Sequence, residues 1–150
     1  MSFIRRANEA DAFRLAEIEV FSYRLDFYPI FRTDDYFFSE LNVPVLIDEY
    51  RAEPERVANA LVYDDGIIKG FIRVNGKEVE KLFVELAFRG RGIGGALLDK
   101  AASELGASYL LVLEKNLAAI RFYERHGFLP TGEKHEVDGT GNYLIRVARK

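Results

Sequence analysis

The sequence predicts an α+β domain in which an antiparallel meander of strands runs into a βαβ unit, with helices on the flanks. Two hairpin signals give the meander. Asp64-Asp65-Gly66 and Asn75-Gly76 separate three strand-like segments, Val57–Tyr63, Ile67–Val74 and Glu78–Val84, and such turn residues favour the tight connections of antiparallel strands. The βαβ unit rests on two further stretches. Phe88-Arg89-Gly90-Arg91-Gly92-Ile93-Gly94-Gly95-Ala96-Leu97-Leu98 follows the third strand and holds four glycines in six residues, a density that neither a strand nor a helix interior tolerates. A helical pattern comes next, and then Tyr109-Leu110-Leu111-Val112-Leu113, a continuous apolar run of the kind that forms a buried parallel strand. A crossover joining two such strands is right-handed.

The 150 residues are read as one domain, 1–150, long enough to bury a sizeable core. The chain is 49% hydrophobic and 30% charged, the balance of a soluble globular protein. It has no cysteine, which excludes disulfides and thiolate chemistry. Its two histidines, His126 and His135, lack ligand-like spacing, so no metal site is expected. No apolar run approaches the ~20 residues that span a bilayer. The N-terminal Met1–Arg6 lacks a signal peptide's apolar region, so the expected location is the cytoplasm, with no membrane partner. The net charge of −3 hides an asymmetry: residues 1–65 carry 14 acids and 7 bases, and residues 66–150 carry 10 acids and 14 bases. An even basic surface for nucleic acid is absent. The split suggests that the C-terminal half meets an anion and the N-terminal half something cationic.

In chain order, Phe3–Arg6 reads as a short first strand. Asn8 is a good N-cap for a helix beginning near Glu9, with Asp11 in its first turn. Ala12, Leu15, Ala16, Ile18, Val20 and Tyr23 continue the helical period. Pro29 interrupts it, and Thr33-Asp34-Asp35 looks like a second helix start. Residues 21–38 hold eight of the 20 aromatics; most belong to the core, and the group also suits one wall of a substrate pocket. Residues 45–56 read as a peripheral helix that Pro54 ends or restarts. After the meander and the glycine run, Ile93, Ala96, Leu97, Ala101 and Leu105 mark one helix face, and Gly106 ends the helix. A second helix spans Leu117–Arg125 and closes at Gly127. Phe128–His135 and Asn142–Val147 are the last strands, joined by the polar loop at 136–141.

A glycine run between a strand and a helix is a site for an anionic phosphate group. Glycines admit close backbone approach, and a helix N-terminus offers unpaired N–H groups carrying partial positive charge. Arg89 and Arg91 add formal charge. Two parsings fit. Gly90-x-Gly92-x-x-Gly95 matches a dinucleotide fingerprint, with Glu114 near the position of a ribose-binding acid. The other is Arg89-x-x-Gly92-x-Gly94. Topology disfavours the first, because the dinucleotide fingerprint follows the first strand of repeated βαβ units, whereas hairpins come first here.

A second signal decides between them: Asn116-Leu-Ala-Ala119-Ile-Arg-Phe122-Tyr123-Glu-Arg-His-Gly127-Phe128. Asn116, Ala119 and Tyr123 share one helix face. Read alone, Asn116 is an N-cap, and Ala119, Phe122 and Tyr123 are packed residues. Together the two strings resemble the GNAT N-acetyltransferase superfamily. Its pyrophosphate loop reads Gln/Arg-x-x-Gly-x-Gly/Ala, and its second cofactor segment Asn-x-x-Ala-x-x-Phe-Tyr-x-x-x-Gly-Phe. The resemblance covers residues 78–128 well and the remainder in outline.

It implies a partly split, mostly antiparallel sheet with flanking helices, an α/β sandwich, and acetyl-CoA as co-substrate. Backbone groups of Leu82, Phe83 and Val84 would hold the pantetheine amides and the acetyl carbonyl. Arg89, Gly90, Arg91, Gly92, Ile93, Gly94 and Gly95 would cradle the pyrophosphate. Asn116 would contact the pantetheine arm, and Tyr123 would point at the sulfur. Acetyl transfer requires a neutral amine to attack a thioester, and amines are mostly protonated at neutral pH, so a base or a water chain must remove a proton. Tyr123 suits the role of donor to the leaving thiolate. Glu78 and Glu80 alternate onto the face of Leu82 and Val84, and Glu80, nearer the transfer site, is the preferred base over Glu78 or water. The acceptor expected is a small-molecule or protein amine, cationic in view of the acidic N-terminal half, and a homodimer is compatible with this reading. A non-catalytic acyl-CoA sensor is the alternative, and a dinucleotide-binding protein a lesser one.

Overall fold

Asn8 sets the first helix. Its side chain accepts from Ala10 N while its backbone N–H donates to Asp11 Oδ2, a reciprocal cap over the 3₁₀ turn Glu9–Asp11. From that turn α1 (Ala12–Asp26) runs on, with Leu15, Ala16, Ile18 and Val20 buried. The computed structural model describes residues 2–149. After α1 come a short α2 (Tyr28–Phe31) with Pro29 in its first turn and a π-helical turn, Tyr36–Glu40. Then α3 (Val43–Ala52) starts on the side chain of Asn42, and α4 (Glu55–Ala58) restarts after Pro54. Val57, expected to open a strand, belongs instead to α4, because Pro54 pre-sets a helical start and the turn carries through to Ala58.

Seven strands follow the order β1-β2-β3-β4-β5-β7-β6. They are β1 (Ile4–Arg6), β2 (Ala60–Asp64), β3 (Ile68–Asn75), β4 (Glu78–Val84), β5 (Tyr109–Leu113), β6 (Leu129–Val137) and β7 (Asn142–Ala148). Every pairing is antiparallel except β4 with β5, which is parallel. That pairing has one register partner, Glu78↔Tyr109. β5 takes its continuous partner on the other side, β7, from Tyr109↔Ala148 to Leu113↔Leu144. The sheet is therefore split between β4 and β5 beyond its first rung. The crossover helix is α5 (Ile93–Leu105), ended by Gly106 in the left-handed region, and α6 (Leu117–Arg125) follows β5.

Two cores cover the two faces. Leu15, Ile18, Phe37, Leu46 and Tyr50 pack with Phe71 and Phe83 on the α1 and α3 face. Leu97, Leu98 and Ala101 of α5 pack with Ile72, Val79, Leu82, Val84, Tyr123 and Phe128 on the other. The alternation along β4 slips once. Arg73 pairs with Lys81, but the next residue, Val74, pairs with Val79. Glu80 is the extra residue of a β-bulge, which turns neighbouring side chains to one face. Glu80 consequently reaches Arg73 on the α1 side, opposite to Leu82 and Val84, where strict alternation had put it.

Candidate active site

The loop after β4 opens with a 3₁₀ turn, Leu86–Phe88, and then reverses through Gly90 and Gly92. Both have positive φ, +80° and +83°, and a Cβ at either would stand in open space. Here glycine is required for its backbone conformation, and the space beside it stays open. Gly92 is the N-cap of α5, its carbonyl accepting from Ala96 N at 3.0 Å. The first N–H groups of that 13-residue helix have no partner within it.

Gly94 and Gly95 serve a different need. A Cβ at Gly94 would lie 3.3 Å from the Phe122 ring and 3.7 Å from Val84 Cγ2, and one at Gly95 would lie 2.6 Å from His126 Cε1. These two glycines let α6 close on α5. The end of β4, the start of α5 and the second motif are thus in contact through Val84, Gly94 and Phe122.

The two arginines also part company. Arg89 donates from Nε to the Val84 carbonyl at 2.8 Å and grips both carboxylate oxygens of Asp26 at 3.0 Å. Its charge is paired, and it ties the loop to the end of α1. Arg91 lies over the Phe88 ring at 5.9 Å and has no ion-pair partner among the described residues. One of the two expected cations, Arg91, is therefore available to an incoming anion.

Asn116 caps α6, its Oδ1 accepting from Ala119 N at 3.2 Å. Tyr123 is buried against Phe122 and Phe128, with ring centroids 5.2 and 6.4 Å away. Burial pushes its hydroxyl above the usual tyrosine range, so the group holds its proton firmly. Leu82 and Val84 pack toward α5, and Phe83 packs under Tyr23 and Phe27. Where β4 has lost β5, the backbone edge of residues 82–84 faces the split.

On the α1 face of β4 lies a cavity of about 340 Å³, lined in part by Tyr23, Tyr36, Glu40, Glu80 and Lys81. Beneath it, Arg73 donates to Glu80 and Glu19, each at 3.2 Å, and the Tyr50 hydroxyl donates to Glu19 at 2.7 Å. Lys81 Nζ donates to the Tyr23 hydroxyl. Burial lowers the Lys81 ammonium from the usual lysine range and raises the Tyr23 hydroxyl. Of this cluster the sequence points to Glu80 and, through the aromatic group of residues 21–38, to Tyr23 and Tyr36. Glu19, Tyr50, Arg73 and Lys81 escape it, because their contacts join positions far apart in the chain. Among the described residues no group of acidic, histidine or cysteine side chains is arranged to hold a metal ion, and no helix is long and apolar enough to cross a membrane.

A model of the acetyltransferase (GNAT) domain matches residues 56–130. The peptidyl-lysine N-acetyltransferase YjaB of Salmonella typhimurium is 32% identical over 105 residues, covering 64% of this chain and 72% of that protein. The solution structure of apo YjaB from Escherichia coli matches with a TM-score of 0.70 at 28% identity, over 97% of this chain and 95% of that one. YncA from Salmonella typhimurium, solved with its cofactor acetyl-CoA, matches with a TM-score of 0.68 at 22% identity, over 96% of this chain and 90% of that one, a likeness of fold.

Proposed function

The chain belongs to the GNAT acetyltransferase family, and from that premise we propose that it moves the acetyl group of acetyl-CoA directly onto a primary amine. The observation that carries this reading is the junction at Gly90–Gly95. Two left-handed glycines beside open space, an unsatisfied helix N-terminus and one arginine without an ion-pair partner among the described residues support this reading, because such a junction suits a pyrophosphate. The YncA neighbour, of the same fold, carries acetyl-CoA.

On this reading the N–H groups at the start of α5 and the Arg91 guanidinium hold the pyrophosphate. Apart from the Val84 carbonyl, which already accepts from Arg89 Nε, the edge of Leu82–Val84 bonds the pantetheine amides, a strand-like addition to a free edge. Asn116 keeps its Oδ1 for the helix cap and offers its amide N–H groups. The acceptor nitrogen forms a bond to the thioester carbonyl carbon, the C–S bond breaks, and the thiolate takes a proton. Tyr123 serves that thiolate as a hydrogen-bond donor. Its raised pKa makes it a poor source of a free proton but a permanent donor at neutral pH.

The acceptor class proposed is a cationic primary amine. The acidic N-terminal half supports it, as do Glu40 and Glu80 on the α1-side cavity. Salmonella YjaB acts on peptidyl lysine, which makes lysine peptides the first acceptors to try. The test is calorimetry with acetyl-CoA, then thiol release over lysine peptides, polyamines, aminoglycosides and simple alkylamines. Micromolar binding, about −8 kcal/mol, with CoA released in the presence of at least one amine class is expected. Binding without release for any amine would leave the sensor alternative, and NADH binding without acetyl-CoA binding the dinucleotide one.

A further inference from the structure

We propose that Lys81, in place of Glu80, takes the proton that the acceptor ammonium must lose before it attacks. The inference rests on the acetyl-transfer reading above. The bulge in β4 presents Glu80 and Lys81 to the same cavity on the α1 face. Leu82, the next residue, opens the free strand edge assigned to the thioester end of the cofactor. Lys81 is thus the strand neighbour of that edge, with its side chain on the cavity face.

The two candidates differ in what already holds them. Glu80 Oε1 accepts from Arg73 Nε at 3.2 Å, and Arg73 is itself buried and tied to Glu19. Glu80 is thus held by a hydrogen bond and turned toward Arg73. Lys81 has the Tyr23 hydroxyl as its partner and no carboxylate within ion-pair distance among the described residues. The charged and titratable groups around it are Glu19 and Tyr23 from α1, Tyr36 and Glu40 from the π-helical turn, Glu49 from α3, Arg56 from α4, Arg73 from β3 and Glu80 from its own strand. Burial dominates them and lowers the ammonium, with Arg73 acting in the same direction and Glu19, Glu80 and Tyr36 against it.

Proton affinity favours the lysine. An alkylammonium near pKa ~10 and a carboxylate near ~4.3 lie about six units apart, so that transfer is unfavourable by about 10⁶. An amine base, with its ammonium lowered from the ordinary range by burial, is a much closer match to an amine donor. The cavity lining is acidic apart from Lys81, with Glu19, Glu40, Glu49 and Glu80 against Arg56 and Arg73, a setting that draws a cationic acceptor in beside the lysine. For the transfer Lys81 is the neutral amine and the acceptor the ammonium. The proton then moves from the acceptor to Lys81 Nζ. The freed lone pair forms the C–N bond as the C–S bond breaks, a second proton from that nitrogen goes to the thiolate, and Lys81 releases the first to solvent through the cavity. One amide, one thiol and one proton result.

The experiment measures kcat/KM against pH with two accepted amines of different pKa, for example a peptide α-amine near ~8 and a lysine side chain near ~10.4. An ascending limb that stays in place when the acceptor changes belongs to the protein. Lys81→Met is expected to lose that limb and to lower kcat/KM by about 10² to 10⁴, with acetyl-CoA binding and circular dichroism preserved. Lys81→Arg should not restore it, because a guanidinium keeps its proton. Glu80→Gln should keep the limb, at a reduced rate. A limb that survives Lys81→Met, or disappears in Glu80→Gln, overturns the proposal. A second readout needs no acceptor: NMR titration of ¹³C-methylated lysines, with the Lys81 signal assigned by its loss in Lys81→Met. Titration at the ordinary ~10.4 also overturns it. Failure to acetylate any amine would instead remove the transfer reading itself.

Discussion

Gly92→Val and Gly94→Val should fail in different ways, although the two residues are equivalent in the motif. At Gly92 the backbone has φ of +83° and a Cβ meets nothing within 4 Å. A side chain there costs backbone strain of about 1–2 kcal/mol. For a chain of this size that lowers Tm by roughly 2–8 °C. The added methyls occupy the open space proposed for the pyrophosphate, so acetyl-CoA affinity should fall by about tenfold or more, at least ~1.4 kcal/mol. At Gly94 the Cβ alone already stands 3.3 Å from the Phe122 ring and 3.7 Å from Val84 Cγ2. Valine's two further methyls have nowhere to go without parting α5 from α6. Overpacking of this kind costs about 1–3 kcal/mol, offset by about half a kcal/mol because glycine is the poorer helix former. Thermal unfolding and calorimetry on both variants separate the effects. Gly92→Val should lose affinity out of proportion to stability, and Gly94→Val should lose both. Normal acetyl-CoA binding by Gly92→Val would mean that the pyrophosphate is held elsewhere. Wild-type stability in Gly94→Val would mean that the helix contact is slack.

Arg91→Glu should weaken acetyl-CoA binding by about tenfold or more, whereas Asp26→Asn, which releases Arg89 from its carboxylate, should tighten binding and steepen its salt dependence; calorimetry at two ionic strengths checks both, and weaker binding by Asp26→Asn would give the clasp an organising role. Tyr123→Phe keeps the ring and removes the hydroxyl; kcat should fall at least about tenfold with acetyl-CoA affinity nearly unchanged, and a full-speed variant would remove this tyrosine from the mechanism. The carboxyl of Asp11 is held below its usual range, first by its hydrogen bonds from Arg5. Its folded pKa is thus depressed, so the stability it contributes is present above the ordinary carboxylate pKa near ~3.9 and is lost as pH falls through the folded value. Denaturant melts below pH 4 should show that loss in the wild type and a smaller one in Arg5→Met.

Elements that depend on local chemistry were legible in the sequence. The Asn75-Gly76 turn, the unbroken β5 run, the extent of α6 and four of the five residues expected on the apolar face of α5 all follow from neighbours in the chain; the fifth, Ala96, is exposed at the helix start. What depended on partners far along the chain was not. Strict alternation on β4 puts Glu80 beside Leu82, and only the pairing with β3 reveals the extra residue. Arg89 reads as a free cation until Asp26, 63 residues away, closes on it. Glycines needed for positive φ and glycines needed for close helix packing carry the same letter, and the contact with α6 alone tells them apart.

The bulge and the split act on the same strand at right angles. Losing β5 after one rung leaves the backbone edge of β4 free to bond an extended chain. The bulge turns Glu80 and Lys81 together onto the α1 face, out of the plane of that edge. Without the bulge, Glu80 would follow the parity of Leu82 into the apolar core with α5, where a carboxylate has no partner. With it, Glu80 joins Lys81, which reaches Tyr23, on the cavity side. One strand can then serve two ligands from two directions: backbone groups for the cofactor arm at its edge, and side chains for the acceptor on its face. On the proposed reading the reacting nitrogen and the thioester carbon meet where those directions cross, at Lys81–Leu82. A single deletion that removes Glu80 tests this geometry directly. It restores alternation between Val79 and Leu82 with Lys81 still on the α1 face, and should keep both the protein's ascending pH limb and acetyl-CoA binding, whereas loss of the limb would place the base at Glu80.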